Sequence, residues 1–250
     1  MKTFNLRNVI FVLIPILIIG CSKSSSTTYM EGDLLTIRID VDKEPENIHN
    51  IGLIKNMEIY SLKSDSILFY NIDKIVSHKN KFYMMDEESH SVIVYDTLGY
   101  LNKINDFGQG PKEYLQLSDI IVDTQAQTLN LVSRIDQKML VYDLNSLGLK
   151  DIVKLPKAFT SLTQTQWGYT GYMGNYDRDN KSVKNVWTFS KDFNFINNFL
   201  EMDPSWNSIV KGGIHSFSQY KENVYYIQFL DNNIYAVNET EVSIPYLVVS

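Results

Sequence analysis

Few of the residue types that perform chemistry stand in this sequence at spacings that would make a site. The histidines are far apart: they are His49, His78, His90 and His215. None has the His-x-x-x-His or cysteine neighbour of a zinc site, and Asp86-Glu-Glu88 and Asp177-Arg-Asp179 lack the ligand spacing of a calcium loop. There is no Gly-x-Ser-x-Gly elbow and no phosphate-binding loop. The sequence therefore predicts no catalytic residue, no metal and no cofactor.

The single cysteine, Cys21, ends a segment that is organised like a signal peptide. Lys2 and Arg7 precede an apolar run at residues 9–19, about half of the roughly 20 residues that a membrane-spanning helix needs. The string Leu17-Ile-Ile-Gly-Cys21 resembles a lipobox, in which the thiol receives a lipid and the chain is cut before the cysteine. The alternative is an ordinary signal peptide that happens to end in cysteine. A lone cysteine can form no internal disulfide, so we expect residues 1–20 to be removed and Cys21 to carry a membrane anchor.

The composition after the signal peptide describes a tether followed by an acidic globular domain. Residues 21–32 begin with small polar side chains, which are typical of a flexible linker. Loss of Lys2 and Arg7 leaves 21 basic against 29 acidic residues, and this changes the formal charge from −6 to −8. Nucleic acids and anionic lipid headgroups require clustered Lys and Arg. We therefore expect no nucleic acid among the partners.

From about residue 70, the sequence repeats a pattern of four short strands separated by Asn, Asp, Gly and Ser turns. An aromatic residue stands at the end of the third strand in three units, at Tyr95, Tyr142 and Phe189, which are 47 residues apart. In a fourth unit, Tyr235 follows 46 residues after Phe189. A small twisted sheet has two apolar faces that its neighbours must cover, so this period is typical of β-propeller blades. A β-sandwich with strands in similar register is the alternative.

The segment Phe107-Gly-Gln-Gly-Pro-Lys-Glu-Tyr114 resembles the Gly-X-Gly-Pro-Gly-Glu-Tyr string of six-bladed β-propeller lipoproteins from Bacteroidetes, relatives of NHL-repeat proteins. Residues 37–40, 94–100 and 118–123 are similar to that family as well. The resemblance implies an all-β propeller with four-stranded antiparallel blades. Lys112 stands where the family usually has Gly, which predicts a negative φ at this position.

The resemblance implies six blades, whereas residues 70–250 have room for about four units of this length. Either the sequence is a shortened or truncated member of that family, or its ring closes with fewer blades. We expect a propeller domain over residues 33–250, with blades near residues 70–105, 117–155, 162–203 and 213–250. Blades shaped for a ring of six would leave four in an open arrangement, in which the first and fourth do not pack together. In the family, an early strand near residues 56–62 would complete the last blade.

Two groups of residues are candidates for ligand contact. The first is the interblade loop, with Gly108, Gly110, Pro111, Glu113 and Tyr114. Its glycines and proline supply φ freedom followed by φ restriction, which favours a rigid turn; the alternative is that Glu113 and Tyr114 point into the channel mouth. The second group is a ligand face whose rings could stack on sugar or peptide groups, and it contains Trp167, Tyr169, Tyr172 and Trp206. Interblade packing is the expected use of Trp187 and Phe189.

These features favour a lipid-anchored, non-catalytic propeller that binds a glycan, peptide or protein partner in the cell envelope. The alternative is an enzyme resembling NHL-type lyases or gluconolactonase propellers, with a divalent metal held in the channel by side chains scattered along the sequence. In lipoproteins of the Bacteroidetes type, an acidic run after the cysteine resembles a surface-export signal. Here that position holds Ser22-Lys23-Ser24, which favours an outer-membrane lipoprotein facing the periplasm.

Overall fold

The structure is a computed structural model, and it describes residues 28–31, 34–38, 58–60, 62, 69–175, 184–202, 217–220, 223–227 and 233–249. Every helix or strand assigned within these ranges is a β-strand, as predicted. The strands are β1 (Thr28–Glu31), β2 (Leu34–Arg38), β3 (Lys74–His78), β4 (Lys81–Asp86), β5 (Ser91–Asp96), β6 (Gly99–Ile104), β7 (Asp119–Asp123), β8 (Thr128–Ser133), β9 (Lys138–Asp143), β10 (Leu149–Lys154), β11 (Ser161–Gln164), β12 (Gly168–Tyr172), β13 (Lys184–Ser190), β14 (Phe195–Glu201), β15 (Phe217–Tyr220), β16 (Asn223–Ile227), β17 (Asn233–Val237) and β18 (Val242–Val249). The described part of the chain has no helix with the length and hydropathy to span a membrane.

The strands form four sheets, which we call blades 1 to 4. Blades 1, 2 and 3 are antiparallel four-stranded meanders made of β3–β6, β7–β10 and β11–β14. Blade 4 contains β15–β18 and is extended at its outer edge by β2 and β1. The strands β3, β7, β11 and β15 contact one another in that order and are the inner strands. This arrangement is that of a β-propeller, so the predicted fold class is confirmed.

The N-terminal hairpin of β1 and β2 corrects two sequence-based expectations. Residues 28–31, which were predicted to belong to the tether, form β1 and pair with β2. The strand predicted near residues 56–62 is absent from its described positions, 58–60 and 62. The outer edge of blade 4 is taken instead by β2, which pairs in parallel with β18. The signal peptide and Cys21 lie outside the described residues.

The central strands of the blades are apolar on both faces. Blades 2 and 3 each pack against two neighbouring blades, whereas the outer face of blade 1 is covered by Phe69 and Phe82. In β5, Val92 and Val94 pack toward blade 2, whereas Ile93 and Tyr95 point to the opposite face. Successive side chains of a strand alternate between faces, so a strand buried on both sides becomes a continuous apolar run. All four of these side chains are fully buried.

The repeated aromatic residue has the same packing in each blade. Tyr142 lies in the core cluster between blades 1 and 2, Phe189 in the cluster between blades 2 and 3, and Tyr235 in the cluster between blades 3 and 4. Tyr95 occupies the equivalent place on the outer face of blade 1, where Phe69 stacks on it. The interblade packing predicted for this position is therefore confirmed for Tyr142, Phe189 and Tyr235. Among the described residues, no core cluster joins blade 1 to blade 4, as expected for an open arrangement.

Candidate functional site

The interblade loop folds back on itself between blades 1 and 2. The Gly110 N–H donates to Glu113 Oε2 at 2.7 Å, and the buried Tyr114 hydroxyl donates to the His90 carbonyl at 2.7 Å. A Cβ at Gly108 would lie 2.0 Å from Glu113 Oε2. Neither glycine has a positive φ, which corrects the sequence-based reason for them; a side chain at Gly108 would instead displace the Glu113 carboxylate. Lys112 also has no positive φ.

Tyr142 fastens this loop to blade 2, and Tyr114 closes the loop on itself. The Tyr142 hydroxyl donates to Asp106 Oδ2 at 2.6 Å, and the Tyr114 N–H donates to the Asp106 carbonyl at 2.9 Å. Burial, followed by the neighbouring Asp106 charge, raises the pKa of both phenols. Both side chains therefore stay neutral donors at physiological pH. Neither Glu113 nor Tyr114 lines the central cavity described below, so the structure places them in the loop and the core.

The predicted aromatic ligand face is wrong for two of its members. Tyr169 stacks on Phe193 with ring centroids 4.3 Å apart, and Tyr172 contacts Tyr226 at 5.3 Å. Both tyrosines are buried in the clusters that join blade 3 to its neighbours, because β12 has a blade on each side. Trp167 is partly buried against the cluster between blades 3 and 4, and Trp206 lies outside the described residues.

The structure confirms the packing that the sequence predicted for the other aromatic pair of blade 3. Phe189 is buried in the cluster between blades 2 and 3, and Trp187 packs against that cluster. The Lys157 ammonium lies over the indole of Trp187, with Nζ 4.8 Å from the ring centroid. These rings therefore hold blades together.

A cavity of about 480 Å³ lies among the inner strands and is lined by residues of all four blades. Its described lining residues are Lys74, Val76, Ile120, Ile121, Val122, Asp123, Thr124, Gln125, Leu162, Thr163, Gln164, Thr165, Gln166, Lys191, Gln219, Asn223 and Val224. Aliphatic side chains alternate with amides and hydroxyls, and no aromatic ring is among them. We call this the central cavity.

Asp119 ties three inner strands together beside the central cavity. Its carboxylate is fully buried and accepts hydrogen bonds from Lys74 Nζ at 2.5 Å and from Ser161 Oγ at 2.7 Å. The Leu162 N–H donates to the same carboxylate at 2.9 Å. A buried charge needs a counter-ion and several donors to be tolerated, and Asp119 has both. It therefore fixes the spacing of β3, β7 and β11.

A second polar link crosses from blade 2 to blade 4. Gln164 Nε2 donates to Asp123 Oδ2 at 2.6 Å. Gln219 Nε2 donates to Thr163 Oγ1 at 2.8 Å and to the carbonyl oxygen of Gln164. Because these residues line the central cavity, part of its wall is a hydrogen-bonded row of amides, hydroxyls and one carboxylate. Such a wall can recognise a polar molecule by hydrogen bonding.

The described residues hold no group of three or more His, Cys, Asp or Glu side chains placed to share a metal ion. His90 stacks on Phe107, with ring centroids 4.1 Å apart, at the interblade loop. His49 and His215 and the carboxylates of Asp177 and Asp179 lie outside the described residues.

The central cavity was not found from the sequence because its polar residues are distant along the chain. Asp123, Gln164 and Gln219 are separated by about one repeat each, and each belongs to the first strand of its own blade. Aligning the repeats on this strand, in addition to the third, would have placed these polar positions at the axis.

Comparisons with known proteins agree with this geometry. A family model described as a 6-bladed beta-propeller matches residues 38–248. A protein of Bacteroides fragilis that is described as exported superposes with a TM-score of 0.65 at 20% identity, covering 77% of this chain and 55% of that chain. A streptogramin B lyase superposes with a TM-score of 0.50 at 11% identity, covering 71% of this chain and 55% of that chain. This chain thus spans about half the length of both structures, and no curated protein matches it.

Proposed function

This chain belongs to a family of six-bladed β-propellers, and on that premise we propose that it is a non-catalytic binding module held in the cell envelope by a lipid on Cys21. The observation that carries the proposal is the central cavity. Its volume of about 480 Å³ falls within the range of about 300–1,000 Å³ that is usual for ligand sites. Hydrogen bonds to Asp119 and Asp123 already hold its wall in place, so little further ordering is needed when a ligand binds.

The anchor is supported by the signal-like organisation of residues 1–21 and by the likeness to an exported Bacteroides fragilis protein. The strand β1 begins at Thr28, seven residues after Cys21. Seven residues span at most about 25 Å, so the lipid would hold the outer edge of blade 4 close to the bilayer. We assign the protein to the outer membrane, with the domain facing the periplasm.

Metabolic labelling with a radioactive fatty acid tests the anchor. We expect the wild-type chain to take up label and Cys21→Ala to take up none, because no other residue offers a thiol. Ser22→Ala is the matched control and keeps the label. Label that persists in Cys21→Ala would refute the assignment.

Binding of envelope material by the mature protein tests the function. We expect saturable binding of a fraction of soluble envelope peptides and oligosaccharides, with the ligand recovered chemically unchanged in mass spectra. Gln164→Leu, in the cavity wall, should weaken binding at least tenfold. Gln109→Leu, in the exposed part of the interblade loop, should not. Recovery of a cleaved or rearranged ligand would show that the protein is an enzyme and not a binding module.

A further inference from the structure

We infer that the ligand of the central cavity is a peptide segment with an acidic group, an inference that rests on the proposed function and names its ligand. The first reason is the orientation of two amides in the wall. The Asp123 carboxylate can only accept hydrogen bonds, so Gln164 must direct its Nε2 toward it. Gln219 directs Nε2 toward a carbonyl and a hydroxyl for the same reason. Both side chains therefore keep Oε1 as an acceptor without a hydrogen-bond partner among the described residues.

A peptide backbone presents alternating N–H donors and carbonyl acceptors. The Oε1 atoms of Gln164 and Gln219 suit its N–H groups, since they are acceptors on two adjacent inner strands. The side chains of Gln125 and Asn223 line the same cavity and carry N–H groups that suit its carbonyls. The cavity thus offers acceptors for the N–H groups of a peptide and donors for its carbonyls.

The remaining lining residues of the cavity favour a peptide ligand over a sugar. Sugar rings bind best where their apolar C–H faces can stack on aromatic side chains, and no described lining residue is aromatic. The accessible apolar part of the lining is aliphatic instead, with the partly buried Val76 and Val122. Aliphatic surface of this kind matches the side chains of a peptide.

The charge of the lining favours an acidic group on the ligand. Lys74 is neutralised by its ion pair with Asp119, and Asp123 is satisfied by hydrogen bonds from Gln164 and its own turn. Lys191 is exposed at the cavity and has no ion-pair partner among the described residues. An acidic side chain or a C-terminal carboxylate next to Lys191 would complete the site.

A phage-displayed dodecapeptide library, panned against the mature lipidated chain in detergent, provides the probes. The most enriched peptides are synthesised with a fluorescent label, and their dissociation constants are measured by anisotropy. We expect enrichment of sequences with Asp, Glu or a free C-terminus. Gln219→Leu should weaken them at least tenfold, and Lys191→Ala should weaken them and reduce the salt dependence of binding. The controls Gln109→Leu and Lys112→Ala, both on the exposed interblade loop, should leave the affinity unchanged.

An array of neutral oligosaccharides, probed with the same protein, separates the outcomes. Oligosaccharide binding that Gln219→Leu abolishes would overturn the peptide inference and leave the binding function standing. Peptide binding that no cavity variant affects would overturn the inference as well. Absence of binding to peptides, to oligosaccharides and to envelope extract would overturn the proposed function itself. Lys191→Ala changes an exposed side chain, so it keeps the test valid should Gln219→Leu fail to fold.

Discussion

Among single residues, Asp119 has the strongest structural role in the central cavity. Its carboxylate is fully buried, and it satisfies the Lys74 ammonium and the Leu162 N–H, which belong to the blades on either side. Removal of this acceptor leaves the Leu162 N–H and the Lys74 ammonium without it, and an unsatisfied buried donor costs more than a hydrogen bond contributes to stability.

The first prediction is that Asp119→Ala lowers the free energy of unfolding by about 2–4 kcal/mol. Urea denaturation followed by tryptophan fluorescence measures the change. The matched control is Glu201→Ala, because Glu201 also pairs with a lysine, Lys184 at 2.9 Å, but is 80% exposed. An exposed ion pair contributes about 0–1 kcal/mol. Equal losses in the two variants would show that Asp119 does not hold the blades.

A glycine gives the second prediction at this scale. Gly168 begins β12 with a φ of +152°, and a Cβ there would lie 2.2 Å from the Phe189 carbonyl oxygen. Backbone atoms of the neighbouring strand cannot yield as a flexible side chain would. We expect Gly168→Ala to destabilise the protein by about 1–3 kcal/mol.

The matched control for this glycine is Gly148→Ala, since a Cβ at Gly148 would meet no atom closer than 3.5 Å. Thermal unfolding should show a lower midpoint for Gly168→Ala and nearly the wild-type midpoint for Gly148→Ala. Similar midpoints in both would contradict the strain at Gly168.

Residue roles were predictable from the sequence only where local chemistry decides them. The glycines of the interblade loop were recognised, but the contact between Gly108 and the Glu113 side chain was not, because it depends on the folded loop. Tyr169 and Tyr172 were assigned to a ligand face because their spacing does not reveal that a blade covers each side of β12. Gln164 and Gln219 gave no signal, since they meet only when two blades are adjacent.

At the scale of elements, the repeat was the reliable signal. The predicted unit of four short strands corresponds to blades 1, 2 and 3, and the repeated aromatic of blades 2, 3 and 4 packs between blades as expected. The parallel pairing of β2 with β18 was missed because it joins residues about 200 positions apart. Strand patterns report local alternation and not the identity of a distant partner.

The third prediction concerns this pairing. In the register of β2 and β18, Thr36 lies opposite Leu247, and β2 is bonded to strands on both sides. Thr36→Pro removes a backbone N–H from one of these ladders. We expect hydrogen exchange in β18 to accelerate about tenfold, which corresponds to a local loss of about 1.4 kcal/mol.

Hydrogen-exchange mass spectrometry of peptides covering β18 measures this effect. Thr36→Val is the control, since it keeps the N–H and favours strand conformation. Exchange in β8, in the middle of blade 2, should stay at the wild-type rate in both variants. Unchanged exchange in β18 of Thr36→Pro would mean that β2 does not stabilise blade 4.

At the scale of the whole molecule, each interblade cluster joins consecutive blades, and the outer face of blade 1 has no blade against it among the described residues. Met84, Ile93 and Tyr95 on that face are covered by Phe69 and Phe82. The cover is incomplete, because Ile75, directly opposite Met84 on β3, is 54% exposed. Apolar surface left at a sheet face favours association with other apolar surface.

The last prediction is that a chain of this sequence associates with itself through the outer face of blade 1, and that Ile75→Lys shifts it toward the monomer. A lysine at this position places a charge in the contact, and the cost of desolvating that charge opposes association. In the monomer the lysine side chain reaches water, so the urea midpoint of unfolding should stay near that of the wild type. Leu98→Lys is the matched control: Leu98 is 91% exposed but lies in the turn between β5 and β6. Light scattering after size exclusion, over a range of protein concentrations, gives the mass. A wild-type chain that stays monomeric at all concentrations, or an equal shift in Leu98→Lys, would rule out this face as the contact.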